Sequence, residues 1–372
     1  MKFSCRATAL SEGLRRVAGA LPNRTTNPVL EGVKVECMGD TVKLTCTDEV
    51  TTIITEVNAK VDEPGSGIVP GKLFHEVVRG LGDADVTIAM NGKFAFTARG
   101  AGSRTNLSGQ DAELFPDIPV IEDEHVIRMP QGMLKSMIER TSFCVAVDDM
   151  REVLTGALLR FEKSGTATMV GLDGFRMAMC MAMISGNDDD CSAIIPGRTL
   201  LDLSRLLVDA DDAFVEIRIG GGKLAASVNG TEFYVTLING EYINYNAILP
   251  KTAKTRVCVA VDDMRKAVDR AGLIAKQGNN NLIVIKVDDD GMSVEANSQI
   301  GNVHESVQAE IYGEPVKIAF NVKYLADILK NSCLEVMEMQ MNGPIAPCIV
   351  TEAGGGDAKY LVLPVRTSAT EK

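Results

Sequence analysis

The stretch "IVPGKLFHEVVRGL" at residues 68–81 returns as "IIPGRTLLDLSRLL" at residues 194–207. Repetition of this kind constrains the fold more than composition does, because each copy must form the same local structure and bury the same face. The echo continues beyond the phrase. "DVTIAMNGKFAFTARG" (85–100) answers "FVEIRIGGGKLAASVNG" (214–230). Both read as β-hairpins, with alternating residues flanking Asn91-Gly92 and Gly221-Gly222, which would supply the positive φ of such turns. A fainter third copy is "IAFNVKYLADILK" (318–330), followed by "LEVMEMQMNGPIAPCIVTEA".

Each unit also has a front half. "KFSCRATALSEGLRRVAGAL", "VIRMPQGMLKSMIERTSFCV" and "RVCVAVDDMRKAVDRAGLIA" all read as strand, turn and amphipathic helix. Phe3, Ile127 and Val257 correspond. Leu10, Leu134 and Met264 correspond too, as do Leu14, Ile138 and Val268, and their spacing of four gives each helix one apolar face. The chain is therefore predicted to be three repeats of about 125 residues, each with two helices and many short strands. Breaks fall near Ile121 and Pro250, after the Pro-bearing stretches "LFPDIPVIEDE" and "AILPKTAKT". The expected domains are 1–121, 122–250 and 251–372. The tail "TSATEK" reads as loose.

What the repeat preserves is charge. Lys72, Arg198 and Lys323 occupy one position in the second helix of each unit. Arg79, Arg205 and Lys330 follow seven residues later, on the same helical face. In the first helix Arg16, Arg140 and Arg270 coincide, and Lys135 and Arg265 add a basic position in two units. A cation at a helix C-terminus suits the macrodipole, so Arg79, Arg205 and Lys330 have two competing explanations, the dipole alone or an anion-facing role. The same argument fails for Lys72, Arg198 and Lys323, which sit at helix starts where a cation is unfavourable. Cations tiled on equivalent helices point to a polyanion, most simply DNA phosphates. The net charge of −12 disfavours nucleic acid when taken alone, but the distribution matters more than the sum.

Other classes are less well served. No run of about 18 apolar residues is present, and the N-terminus lacks the apolar core of a signal peptide. Nine cysteines without a C-x-x-C pair suggest reduced, cytoplasmic thiols, mostly buried as small hydrophobes. His75, His125 and His304 are far apart in sequence, which gives no metal or triad spacing. The acidic runs "NDDD" at Asn187 and "DDD" at Asp288 read as solvated loops. No cofactor, metal or catalytic residue is expected.

The chain resembles the bacterial β sliding clamps, the processivity subunits of DNA polymerase III, over essentially its whole length. The stretches that carry the resemblance are "PVLEGVKVE" at Pro28, "TDEVTTI" at Thr47, "VPGKLFHEVVRGL", "LFPDIP" at Leu114, "VLTGALLRFE" at Val153, "LDGFRMA" at Leu172, "IIPGR" at Ile194, "FNVKYLADIL" and "YLVLPVR". Their order and spacing are specific, although no single motif is. The resemblance implies an α+β fold of three clamp domains, each with two helices packed on antiparallel sheets. It further implies a head-to-tail homodimeric ring enclosing double-stranded DNA without regard to sequence. The basic helices would face the duplex, joined by Arg24 of "LPNRTTN". Sparse, partly water-mediated phosphate contacts would allow sliding. No bond is made or broken, so no enzyme is expected.

The resemblance also implies a pocket for short peptides of the polymerase III alpha subunit, the clamp loader and other clamp-motif proteins. The matching positions are Arg151, Leu154, Leu172, Gly174, Phe175, Arg176, Met177, Ile243 and Ile248. The run Leu361, Val362, Leu363, Pro364, Val365 and Arg366 completes it. Apolar walls would take peptide side chains and arginine rims would fix polar ends. Read from the residues alone, "LDGFRMAMC" is a hairpin with an Asp-Gly turn, and "KYLVLPVR" a terminal strand stopped by Pro364. Phe175 stands where well-known members have His, Ile243 where Pro is common and Ala247 where some have Arg. These departures make the pocket greasier. Leu107, Leu273 and Ile274 match apolar dimer-interface positions, whereas Thr105 falls where an aromatic often sits. The competing readings are an auxiliary clamp-like paralogue that binds partners outside chromosomal replication, and a small-molecule enzyme on the same scaffold.

Overall fold

The computed structural model describes residues 1–122, 125–185, 189–210, 212–278 and 281–367. Asn187 and Asp188 of the first acidic run, and the tail from Ser368 onward, lie outside the described residues. In the first repeat β1 (Lys2–Arg6) leads into α1 (Ala7–Val17). Then come β2 (Gly32–Met38), β3 (Thr41–Thr47), β4 (Thr51–Asn58), β5 (Lys60–Glu63) and β6 (Gly65–Pro70), followed by α2 (Gly71–Arg79), β7 (Asp85–Met90), β8 (Ala95–Gly100) and β9 (Ser103–Ser108). The second repeat runs β10 (His125–Pro130), α3 (Gln131–Thr141), β11 (Gly156–Glu162), β12 (Thr166–Leu172), β13 (Arg176–Met183) and β14 (Cys191–Pro196). It ends with α4 (Gly197–Leu206), β15 (Phe214–Gly220), β16 (Lys223–Val228) and β17 (Thr231–Thr236). The third runs β18 (Thr255–Ala260), α5 (Val261–Ala275), β19 (Leu282–Asp288), β20 (Gly291–Ser298), β21 (Gly301–Val307), β22 (Ala309–Gly313) and β23 (Val316–Asn321). It closes with α6 (Val322–Asn331), β24 (Val336–Met341), β25 (Cys348–Glu352) and β26 (Ala358–Val362).

The repeat positions behave alike. Phe3, Ile127 and Val257 are buried on the opening strands, and Leu10, Leu14, Leu134, Ile138, Met264 and Val268 on the opening helices. Phe74, Val78, Leu200, Leu203, Leu325 and Ile328 do the same on the second helices. Each such side chain contributes about 1.5–3 kcal/mol on leaving water. One expectation is corrected. No turn separates the opening strand from its helix, because Arg6 and Ala260 are still extended (φ −69°, ψ 132° and φ −64°, ψ 128°) and the next residue is helical.

A second correction concerns a hairpin. Gly221 and Gly222 have φ +55° and +71°, as the spacing predicts. At Asn91-Gly92 the positive φ falls instead on Phe94, at +57°. The Asn91 side chain accepts from the backbone N–H groups of Lys93 and Ala95 (2.9 and 3.1 Å), which lengthens the loop and moves the left-handed residue to its end.

The strands form four antiparallel sheets in two compact units. One unit comprises Met1–Gly132 and Asp202–Leu237. It holds a five-stranded sheet, β5-β1-β7-β8-β9, and an eight-stranded sheet, β10-β15-β16-β17-β4-β3-β2-β6. The other unit comprises Met133–Leu201 and Ile238–Lys372. It holds a nine-stranded sheet, β14-β11-β12-β13-β26-β25-β24-β18-β22, and a four-stranded sheet, β21-β20-β19-β23. Each repeat thus builds two sheets, and consecutive repeats merge one sheet each. The seams are β17 with β4, from Thr231↔Thr55 to Val235↔Thr51, and β13 with β26, from Arg176↔Val362 to Cys180↔Ala358. Merging satisfies edge N–H and C=O groups that would otherwise lie open. Among the described residues, no helix is long and apolar enough to cross a membrane.

Candidate functional site

A groove of about 350 Å³ lies in the unit that holds the nine-stranded sheet. Its wall begins at the β12–β13 hairpin. The Asp173 carboxylate accepts from the N–H groups of Phe175 and Arg176 (both 3.0 Å), and Gly174 turns the chain at φ +85°. This turn leaves Phe175 58% exposed at the rim, with Leu172 and Met177 beneath. The segment after β17 supplies Ile243 and Ile248. It is pinned by the Tyr242 hydroxyl, which donates to the carbonyls of Val170 (3.1 Å) and Gly156 (3.3 Å). Leu361, Leu363 and Pro347 complete the lining. Apart from Arg176 the lining side chains are apolar, most of them aliphatic, and such a surface gains by taking apolar side chains out of water.

Of the positions that the resemblance assigns to a pocket, Leu172, Gly174, Phe175, Arg176, Met177, Ile243, Ile248, Leu361 and Leu363 line this groove. Leu154 is fully buried and packs in the core cluster with Leu172 and Met177. Val362 points to the opposite face of β26, as strand alternation requires between Leu361 and Leu363. Arg151 stands next to the turn, paired with Asp149 (Nε–Oδ1 3.1 Å). Pro364, Val365 and Arg366 leave the groove, and Val365 N–H donates to the Ala319 carbonyl (2.8 Å). Sequence reasoning missed Pro347, which sits in the β24–β25 connection. The Pro-bearing "NGPIAPC" was the available signal.

Arg176 is corrected from a rim residue to a buried post. Its side chain is 7% exposed and reaches Asp173 (2.9 Å), Asp327 (2.5 Å) and the Phe143 carbonyl (2.8 Å). It also lies over the rings of Tyr324 (4.8 Å) and Phe143 (5.7 Å). Burial works against its charge, but hydrogen bonds to the Asp327 and Asp173 carboxylates prevail and hold its pKa above the ordinary arginine value. Phe175 stacks on Tyr324, with centroids 5.9 Å apart and planes at 16°. Through these contacts α6 braces the turn.

The basic positions divide by partner. Arg24, Lys72, Arg198, Lys323 and Lys330 are exposed and form no side-chain ion pair among the described residues. Arg79 pairs with Glu76, Arg205 with Asp202 (2.6 Å) and Arg270 with Glu305 (2.6 Å). Arg16 lies 3.4 Å from Glu12 and also donates to the Asn229 carbonyl. Arg140 is corrected. It is buried and bonded to Asp357 (2.8 Å), because the α3 face that carries it packs inward. Of the expected interface positions, Leu273 is 67% exposed on α5, whereas Leu107 on β9 is already 7% exposed in the single subunit.

Comparison with known proteins accounts for the threefold pattern. Residues 1–119, 128–244 and 246–366 match, in order, the N-terminal, central and C-terminal domains of the DNA polymerase III beta subunit. The Beta sliding clamp of Bacillus subtilis is 31% identical over 384 residues, spanning 99% of this chain and all of that protein. Among solved structures, a putative DNA polymerase III beta subunit from Eubacterium rectale matches with a TM-score of 0.93 at 29% identity, covering 99% of this chain and 100% of the other. A Pseudomonas aeruginosa sliding clamp bound to griselimycin gives 0.93 at 28% identity, with the same coverage. This chain, with three consecutive clamp repeats and its full length matched, belongs to the DNA polymerase III beta subunit family, the sliding clamps.

Proposed function

We propose that two copies of this chain close head to tail into a ring around duplex DNA and tether polymerase and other partners through the aliphatic groove. The domains are 1–121, 122–250 and 251–372. The observation that carries the reading is the bookkeeping of sheet edges. Both internal seams join the last strand of one repeat to the fourth strand of the repeat before it, in the same register. That rule leaves two strands over. β9 pairs only with β8, and β21 only with β20, among the described residues. Continued once more, the rule sets β9 against β21 of the partner subunit. Leu107 then faces the partner subunit's Gly301, Thr105 faces the partner subunit's Val303 and Ser103 faces the partner subunit's Glu305. Leu273 lies on α5, which packs over β20 and β21.

A closed ring holds DNA topologically, so its phosphate contacts can be weak and blind to sequence. Lys72, Arg198 and Lys323, with Arg24 and Lys330, are the cations available for them. The remaining acidic surface limits nonspecific adhesion. Partner peptides from the polymerase alpha subunit, the clamp loader and other clamp-motif proteins would place apolar side chains against Leu172, Met177, Leu361 and Leu363. The role is non-catalytic and cytoplasmic. The test is retention. Protein loaded on nicked circular DNA by its clamp loader and ATP should survive a high-salt wash and fall away on linearisation. Loss from the intact circle would refute the ring.

A further inference from the structure

The three second helices share more than their two cations. Lys72, Glu76 and Arg79 on α2 match Arg198, Asp202 and Arg205 on α4, and Lys323, Asp327 and Lys330 on α6. In each, an acid stands four residues after the first cation and three before the second, so all three groups share one helical face. An acid beside phosphate-facing cations works against binding, yet one occurs in every repeat, well exposed at Glu76 and largely covered at Asp202 and Asp327. Its partners differ. Glu76 pairs with Arg79, both more than half exposed. Asp202, itself buried at 8% exposure, pairs with Arg205 at 2.6 Å, so that here only the arginine, 70% exposed, stands open to a phosphate. Asp327 turns away to Arg176, and Lys330 has no ion-pair partner among the described residues. The opening helices show the same habit. Arg15 pairs with Glu12 (2.7 Å) and Arg265 with Asp262 (2.6 Å).

We propose that Glu76 and Asp202 are built-in competitors for the DNA backbone, holding Arg79 and Arg205 in ion pairs that a phosphate must displace, so that the ring grips the duplex loosely enough to slide. This rests on the clamp reading above. A phosphate that reaches Arg79 gains one charge-assisted bond, loses the carboxylate's and meets its repulsion. The net attraction per contact is small, and each contact exchanges easily as the duplex moves. Lys330, freed by the diversion of Asp327, is the exception and grips more strongly than Arg79 or Arg205.

The test compares wild type, Glu76→Gln, Glu76→Gln with Arg79→Gln, Lys330→Gln, Arg79→Gln and the net-charge control Glu113→Gln. Affinity for a short linear duplex is read by fluorescence anisotropy over a range of salt, beside retention on nicked circles. Glu76→Gln should bind about two- to fivefold tighter per subunit, with a log–log salt slope steeper by about one per freed contact. Adding Arg79→Gln should cancel the gain. Lys330→Gln should weaken binding more than Arg79→Gln does. Unchanged affinity and slope in Glu76→Gln, an equal gain in Glu113→Gln, or a gain that persists without Arg79 would each overturn the proposal while wild-type retention leaves the ring intact. Wild type that washes off the circles would remove the clamp reading and the proposal together.

Discussion

The seam rule makes a quantitative demand on Thr105. In both internal seams the position equivalent to Thr105 is a fully buried aromatic. Phe233 on β17 lies opposite Ile53, and Tyr360 on β26 lies opposite Ala178. At the proposed subunit seam the same position is threonine, facing Val303 of the partner subunit. The substitution Thr105→Phe should therefore tighten the dimer. A phenyl ring covers roughly 80 Å² more apolar surface than a threonine methyl, which at about 25 cal/mol per Å² is about 2 kcal/mol per interface. A ring has two interfaces, and part of the gain is lost to ordering. The expected fall in the dimer dissociation constant is about ten- to a hundredfold, read by sedimentation equilibrium over a dilution series. Thr105→Asp should open the ring and leave a folded monomer. An unchanged constant in Thr105→Phe, with melting as in wild type, would show that β9 does not meet β21 in this register.

The other expectations concern charge, the groove and the thiols. Combined reversal of Lys72, Arg198 and Lys323 to Glu should leave the dimer mass unchanged, shorten residence on circular DNA and flatten the salt slope by about 0.9 per lost contact. Asp327→Asn removes a charged acceptor from buried Arg176 and should lower stability by about 1–3 kcal/mol in urea melts. It should also weaken an apolar clamp-motif peptide several-fold, although Asp327 does not line the groove. Leu363→Arg should abolish that binding, whereas truncation after Leu363 should only weaken it, because the missing residues hold the strand end through Val365 rather than line the groove. Burial pushes the thiols of Cys5 and Cys180 up to about 11 and that of Cys348 to about 12, so they stay protonated at pH 8 and gain thiolate only as pH approaches those values. Exposed Cys333 should be the first to react with Ellman's reagent on the native protein.

The sequence showed the repeats because it carries them at fixed spacing, and both helices of each unit are where the apolar periodicity puts them. It could not show the merged sheets. A strand's neighbour is set by which edge is left open, and no residue type in "TEFYVT" or "TTIITEV" announces that the two strands will pair. Exposure was equally hidden. Arg16, Arg140 and Arg270 stand at one repeat position, yet Arg140 alone is buried, because Asp357 more than 200 residues away meets it. The Asp-Gly hairpin and the groove wall, which the residues alone set against each other, are the same object. The turn is what holds Phe175 over Leu172 and Met177. Asp327 shares its repeat position with Glu76 and Asp202, and nothing in that spacing shows that it alone reaches across to Arg176.

The repeat also shows how one scaffold gives two seams of different chemistry. The β3–β4 turn and the β12–β13 turn share a backbone design. Asp48 accepts from Val50 and Thr51 N–H (3.2 and 2.7 Å), just as Asp173 accepts from Phe175 and Arg176. Glu49 takes the left-handed conformation of Gly174, with φ +71° against +85°. Val50 and Phe175 are both exposed at the tip. Beneath the tip the two differ. Where the groove has Leu172 and Met177, the first seam has Thr47 and Thr52, their hydroxyl oxygens 2.8 Å apart and Thr47 bonded onward to the Thr51 carbonyl (3.0 Å). Hydroxyls satisfied by one another offer nothing to an incoming apolar side chain, since displacing them would leave buried polar groups unpaired. Two hydroxyls exchanged for an isobutyl and a thioether turn a closed seam into an apolar wall. Arg176 in place of Thr51 then fixes that wall to α6. The backbone explains why the chain has seams at all. These three side chains explain why the aliphatic groove is built where the second and third repeats join.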